Sequence, residues 1–182
     1  KNTNVNGDLY NSILSFPTAG ISMSYDGKRQ IIVCEAIYLS TDYGNTWNTT
    51  TIVNDQYGDF DDHNWVGCDM SSDGQYMAAI EVTGEIYISS DFGNNWTKND
   101  DANVRDRQWQ DISISATGKF QTAVEQNGYV FISLDYGVTW QVAPDPTLAA
   151  QVWQSISVSA NGMFQSAVVY GGDIYTAKIH QQ

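Results

Sequence analysis

Residues 89–96 read SSDFGNNW, and the chain holds two near-copies, STDYGNTW at 40–47 and SLDYGVTW at 133–140. The shared pattern is Ser-x-Asp-aromatic-Gly-x-x-Trp. Used three times in one short chain, it is either a repeated reactive site or a repeated way of folding. The flanking sequence decides between them. One unit begins WVGCDMSSDGQYMAAIEVTGEIYISSDFGNNW at Trp65, the next WQDISISATGKFQTAVEQNGYVFISLDYGVTW at Trp109, and another WQSISVSANGMFQSAVVYGGDIYTAKIH at Trp153. These tryptophans stand 44 residues apart. An earlier unit, GISMSYDGKRQIIVCEAIYLSTDYGNTW, starts near Gly20 without the leading Trp. A period of this length marks a propeller blade or a solenoid turn.

Each unit reads as β throughout. Its first segment alternates, as in Ile112-Ser113-Ile114-Ser115, and Asp26-Gly27, Asp73-Gly74, Thr117-Gly118 and Asn161-Gly162 then supply tight turns. A second strand follows, such as 120–124, then a turn at Thr83-Gly84 or Asn127-Gly128, and a third strand over 85–89 or 129–133. The Ser-x-Asp pattern closes that strand, and a fourth short strand begins at its Trp. Four such strands make one antiparallel blade. No segment sustains a helical period. The expected organisation is an N-terminal segment, 1–19, followed by repeats near 20–64, 65–108, 109–152 and 153–182.

A turn between the third and fourth strands suits the residues found there. The carboxylates of Asp42, Asp91 and Asp135 can accept bonds from backbone N–H groups of their own turns. Gly44, Gly93 and Gly137 supply a positive φ. Ser40, Ser89 and Ser133 bond across the base, and Trp47, Trp96 and Trp140 tuck an apolar ring back between blades. This account explains the repetition without chemistry. The pattern resembles the Asp-box, or BNR repeat, of sialidases, sortilin-type receptors, xyloglucan hydrolases and a photosystem II assembly factor. The resemblance implies an all-β propeller of about four four-stranded blades, with the boxes serving as structure away from any active site. The aromatic after each Asp departs from that family. Tyr43, Phe92 and Tyr136 either fold onto their own blades or line a rim as candidate contacts for sugars or a neighbouring copy.

Composition narrows the function. With 8 Lys and Arg against 21 Asp and Glu, the formal charge is −13, which disfavours nucleic acid and anionic membrane surfaces as partners. No run of about 18 apolar residues exists to enter a membrane. Few cations, many Asn, Ser, Thr and Tyr, and the acceptor triplets at Asn48 and Asn95 point to an extracellular, cell-surface or virion-surface glycoprotein. Beginning at Lys1, the chain reads as a mature or trimmed product. Cys34 and Cys68 are too few for a disulfide framework, leaving one bridge or two thiols.

Catalysis is not expected. The resemblance implies that a sialidase would need three arginines around its substrate. This chain has only Arg29, Arg105 and Arg107, two of them in one loop. Such enzymes also need about six or seven blades, against about four here. His63, in an acidic loop, and His180 belong to no triad or metal motif, and no cofactor is implied. In the stretch NDQYGDFDDHN, the carboxylates of Asp55, Asp59, Asp61 and Asp62 are the candidate calcium ligands, with plain solvation as the simpler account.

The last unit lacks both the Asp pattern and a fourth strand, while 8–16 read as a spare strand ahead of the first unit. An unpaired edge invites such a strand, from the same chain or from the next molecule. The functional expectation is a non-catalytic structural module that binds copies of itself, as a filament or coat. A glycan-binding propeller is the alternative, and a reduced glycosidase the third reading.

Overall fold

The computed structural model describes residues 20–53, 63–82, 84–145, 148 and 150–179. The spare strand, the candidate calcium ligands Asp55, Asp59, Asp61 and Asp62, and His180 lie outside them.

The described chain is a four-bladed β-propeller. Blade one contains β1 (Gly20–Met23), β2 (Gln30–Val33), β3 (Ile37–Ser40) and β4 (Asn48–Thr49) in that spatial order. After a short strand β5 (Thr51–Ile52), blade two follows with β6 (Trp65–Met70), β7 (Met77–Glu81), β8 (Ile86–Ser89) and β9 (Asn95–Lys98). Blade three is β10 (Trp109–Ile114), β11 (Gln121–Glu125), β12 (Val130–Ser133) and β13 (Gln141–Val142). Blade four shows three strands among the described residues, β14 (Trp153–Val158), β15 (Phe164–Val169) and β16 (Ile174–Lys178). Pairing within every blade is antiparallel, as the short turns require.

One strand departs from the expected scheme. β5 crosses to blade two and pairs in parallel with β9, Thr51 opposite Asn95 and Ile52 opposite Trp96. Two residues carry no readable alternation, so this strap was invisible in the sequence. A second regularity concerns the leading tryptophans. In β6, β10 and β14 the register shifts directly after Trp65, Trp109 and Trp153. Such a bulge sharpens local twist and re-aims the side chain; all three rings end buried.

The core lies between blades. Ile31, Val33 and Leu39 of blade one meet Trp65, Met70 and Met77 of blade two. Ile80 and Ile86 of blade two meet Trp109, Ile112 and Phe131 of blade three. Val124 and Val130 of blade three meet Trp153 and Ile156 of blade four. An interior blade is therefore covered on both faces, and all five residues of β7 are buried. That is why MAAI, ahead of the His63-bonded Glu81, reads as a continuous small and apolar run. In β15 burial instead alternates with exposure along its first five residues, because only one face is covered by another described blade. The inner strands pack in succession, β1 on β6, β6 on β10 and β10 on β14, and no packing of comparable extent joins β14 back to β1. The described blades thus form an open arc.

Candidate functional site

The repeated turns show the same wiring three times. The Ser40 hydroxyl donates to Asp42 Oδ1 at 2.9 Å and accepts from the Gly44 N–H at 2.9 Å. Asp42 then accepts from the Thr46 N–H at 2.8 Å through Oδ1 and from the Thr46 hydroxyl at 2.7 Å through Oδ2. In the next blade Ser89, Asp91 and Gly93 repeat this, with Asn95 donating from its backbone at 3.0 Å and its side chain at 2.7 Å. Ser133, Asp135, Gly137 and Thr139 do so in blade three. Asn95, one of the two glycosylation candidates, thus engages its amide with Asp91, whereas Asn48 is exposed in β4.

These bonds govern the carboxylates. Those from the Thr46 hydroxyl and N–H hold Asp42 below the usual carboxylate range. At Asp91 and Asp135, burial pushes upward but is outweighed by bonds from Asn95 and Thr139, so both are also lowered. A folded pKa below the unfolded one stabilises the native state above the unfolded value, near 4, and that contribution is lost as pH falls through the folded value. Unfolding in acid titration is therefore expected to set in below about pH 4. Asp135→Ala, which removes the acceptor shared by the Ser133 hydroxyl and the exposed Thr139 donors, is expected to cost about 1–2 kcal/mol in urea denaturation at neutral pH and to blunt the acid transition.

Glycine alone was expected at positive φ in these turns. The structure places two successive residues there, Tyr43, Phe92 and Tyr136 at φ 63°, 65° and 65° before Gly44, Gly93 and Gly137 at 78°, 81° and 83°. A bulky side chain in the left-handed region is strained. Each is held by its N–H, which donates to Lys28 O, Gln75 O or Lys119 O of its own blade's first turn.

The rings do not settle simply on their own blades. The Arg29 guanidinium of blade one lies 4.4 Å over the Phe92 ring of blade two, and Tyr76 of blade two lies 4.5 Å from Tyr136 of blade three. Tyr43, with no blade before it among the described residues, is exposed. The same holds for the tryptophans of the pattern: Trp96 and Trp140 are buried between blades, while Trp47 is half-buried against Ala36 and Tyr38. A cleft of about 340 Å³ runs between the second and third turns, lined by Tyr76, Asp91, Asn95, Thr97, Asp135 and Tyr136.

Several residues at the blade joints carried no signal in the turn pattern. Asn99 donates to Gly137 O, Asp101 accepts from the Trp140 N–H at 2.7 Å, and Asn103 donates to Trp140 O at 3.0 Å, clamping the third turn from the loop after blade two. Asp69 of β6 accepts from Ser22 of β1 and from the Ile114 N–H of β10, both at 2.7 Å. His63 is not part of a solvated acidic loop: it is buried, bonded to Glu81 and stacked on Trp65 with ring centroids 5.0 Å apart. Cys34 and Cys68 are free thiols, both pushed upward in pKa by burial. Arg105 pairs with Asp100, and Arg107 with Glu125 while covering Phe131. Among the described residues no cluster of three or more His, Cys, Asp or Glu is placed to hold a metal ion, and no helix is long and apolar enough to cross a membrane.

The glycines of the first turns mark how closely blades approach. A Cβ on Gly162, at φ +72°, would lie 2.1 Å from the Phe120 ring of the preceding blade, whereas one on Gly27, at the same φ, would meet nothing within 4 Å. Gly162→Ala is expected to destabilise by about 3 kcal/mol, from overpacking added to backbone strain, and Gly27→Ala by only about 1. Paired thermal melts measure the difference.

The blades and their turns define the class as a β-propeller. No family model matches the chain, and no curated protein matches it by sequence. Solved structures do resemble it. YCF48 bound to D1 peptide aligns with TM-score 0.59 and 17% identity, over 90% of this chain and 50% of that one. The GH74 enzyme of Niastella koreensis aligns with TM-score 0.64 and 19% identity, over 88% of this chain and 23% of that one. Hydrazine synthase of Kuenenia stuttgartiensis gives TM-score 0.66 and 12% identity, over 90% and 47%. At such identities the likeness is one of fold. The chain spans about half the length of two of these structures and about a quarter of the third.

Proposed function

We propose that this chain is a non-catalytic structural propeller of an extracellular or surface setting, built on Asp-boxes of the BNR kind, that assembles head-to-tail with copies of itself. The observation that carries this reading is the outer edge of blade four. β16 pairs with β15 on one side only, and no fourth strand covers it among the described residues. A strand from a neighbouring molecule, of the apolar character of 8–16, would complete it by main-chain bonding. The turn carboxylates support a structural role, because each is engaged by hydrogen bonds from its own turn, including Asp91 and Asp135, which line one cleft. Negative-stain electron microscopy of the full chain is expected to show filaments or closed assemblies. Ile13→Pro, which interrupts the donor strand, is expected to abolish them. Compact single copies in the unaltered protein would sink the proposal.

One observation favours a second reading. The cleft beside Tyr76 and Tyr136 offers aromatic faces together with amide and carboxylate groups, the composition of a sugar site. Titration with mono- and oligosaccharides tests it, and a signal lost in Tyr136→Ala would favour a glycan-binding propeller.

A further inference from the structure

The joints between blades are built from one repeated set of contacts, and the two ends of the arc carry the unused halves of that set. One residue after each first turn acts as a plug. Arg29 reaches over Gly74 to Phe92, Tyr76 over Gly118 to Tyr136, and Phe120 over Gly162. The next plug in the series, Phe164, meets no following blade among the described residues and is 54% exposed. The corresponding socket on blade one is Gly27, with nothing near its Cβ position, beside Tyr43, 62% exposed.

The apolar positions repeat the lesson. Ile80 and Val124 are fully buried against the following blade, and their counterpart one period on, Val168, is 37% exposed. Ile86 and Val130 are likewise buried, while Ile174 is 75% exposed. On the opposite side, Cys68, Ile112 and Ile156 are buried against the preceding blade, and their blade-one counterpart, Ile21, is 62% exposed. Met23 stands in the same relation to Met70, Ile114 and Val158.

The main chain adds direction. Tyr25 N–H donates to Ser72 O at 2.7 Å, Ser72 N–H to Ala116 O at 2.9 Å, and Ala116 N–H to Ala160 O at 2.9 Å. Continuing that ladder calls for the Ala160 N–H as donor and the Tyr25 carbonyl as acceptor, one at each end of the arc. Each blade therefore presents a donor-and-plug face to its successor and an acceptor-and-socket face to its predecessor.

We infer that the open face of blade four docks on the open face of blade one in a second copy of this chain, with Phe164 seated against Gly27 and Tyr43. The occupant follows from continuity with the joints already formed: the same interface occurs three times within the chain, and a second copy supplies both missing halves. The contact is heterologous, so it either closes a ring or propagates. Two arcs of four blades give eight, within the usual range for propellers, so a closed pair is the expected product. The inference rests on the head-to-tail reading above and names its surface as blade faces, distinct from strand exchange at the β16 edge.

The test uses the full 182-residue chain in sedimentation velocity and native mass spectrometry. Wild type is expected at about twice the chain mass of 20.2 kDa. Phe164→Glu is expected at a single chain mass with an unchanged far-UV spectrum, since the side chain is exposed in one copy. Phe164→Arg is expected to stay associated, because a guanidinium over an aromatic ring already fills this role at Arg29 and Phe92. If Phe164→Glu associates like wild type while Ile13→Pro does not, strand exchange stands and the face contact is overturned. If Ile13→Pro associates and Phe164→Glu does not, the face contact stands and strand exchange falls. A wild-type protein at single mass overturns both.

Discussion

Trp109→Ala is expected to lower the unfolding free energy by about 3–5 kcal/mol, the usual cost of deleting a large buried aromatic. The ring is fully buried between blades two and three, edge-on to Phe131 at 5.3 Å between centroids. Its loss opens a cavity that the paired sheets cannot collapse to fill, because both backbones are fixed by their own ladders. Against a total stability of about 5–15 kcal/mol, such a loss leaves a substantial unfolded fraction. Trp47→Ala serves as the internal comparison. That ring is half-buried on the open side of blade one and is expected to cost about 1 kcal/mol. Urea denaturation of the two variants measures the contrast. Equal costs would mean that the blade joints are not where stability resides.

Asp69→Ala is expected to cost about 3 kcal/mol, through partners that belong to three blades. Its carboxylate accepts from the Ser22 hydroxyl of blade one, from the Met70 N–H of its own strand at 2.8 Å, and from the Ile114 N–H of blade three. Removing the carboxylate leaves these donors without an acceptor at the narrow inner ends of the blades. The pH dependence has the opposite sign to that of the turn carboxylates. Burial raises Asp69 above the usual carboxylate range despite its hydrogen bonds. A raised folded pKa contributes stability that is complete below the unfolded value and is lost as pH rises through the folded one. The penalty of Asp69→Ala is therefore expected to be largest in acid and to shrink as pH rises above about 4, whereas that of Asp135→Ala grows over the same direction. Melting curves of both variants across pH 3–8 check the signs, and parallel trends would refute the assignment.

The blade plan was legible because it is local. Four alternating strands, Gly-containing turns and a constant period fix a blade from neighbouring residues alone, and Ser133, Asp135, Gly137 and Thr139 lie close enough in sequence to declare their own turn. The second left-handed residue, at Tyr43, Phe92 and Tyr136, escaped because an aromatic gives no hint of positive φ; the strain is accepted where the N–H finds a carbonyl in the first turn. β5 escaped because two residues hold no period. His63 escaped because an acidic stretch suggests solvent, while Trp65, Tyr87 and Glu81 build the buried pocket that accepts it.

By itself, then, the amino-acid order determined an all-β chain of repeated blades, the turns that close them and the residues those turns require. The tertiary structure decided which faces the blades cover. Arg29 meets Phe92 and Tyr76 meets Tyr136 across more than one full period, and nothing in a sequence window pairs residues so far apart. The open arc has the same origin. The angle between blades is set by how Trp109, Phe131, Trp153 and their neighbours fill each joint, and Phe164 and Phe120 are the same residue in the same local setting. Phe120 is buried and Phe164 exposed only because a neighbouring blade lies over Phe120.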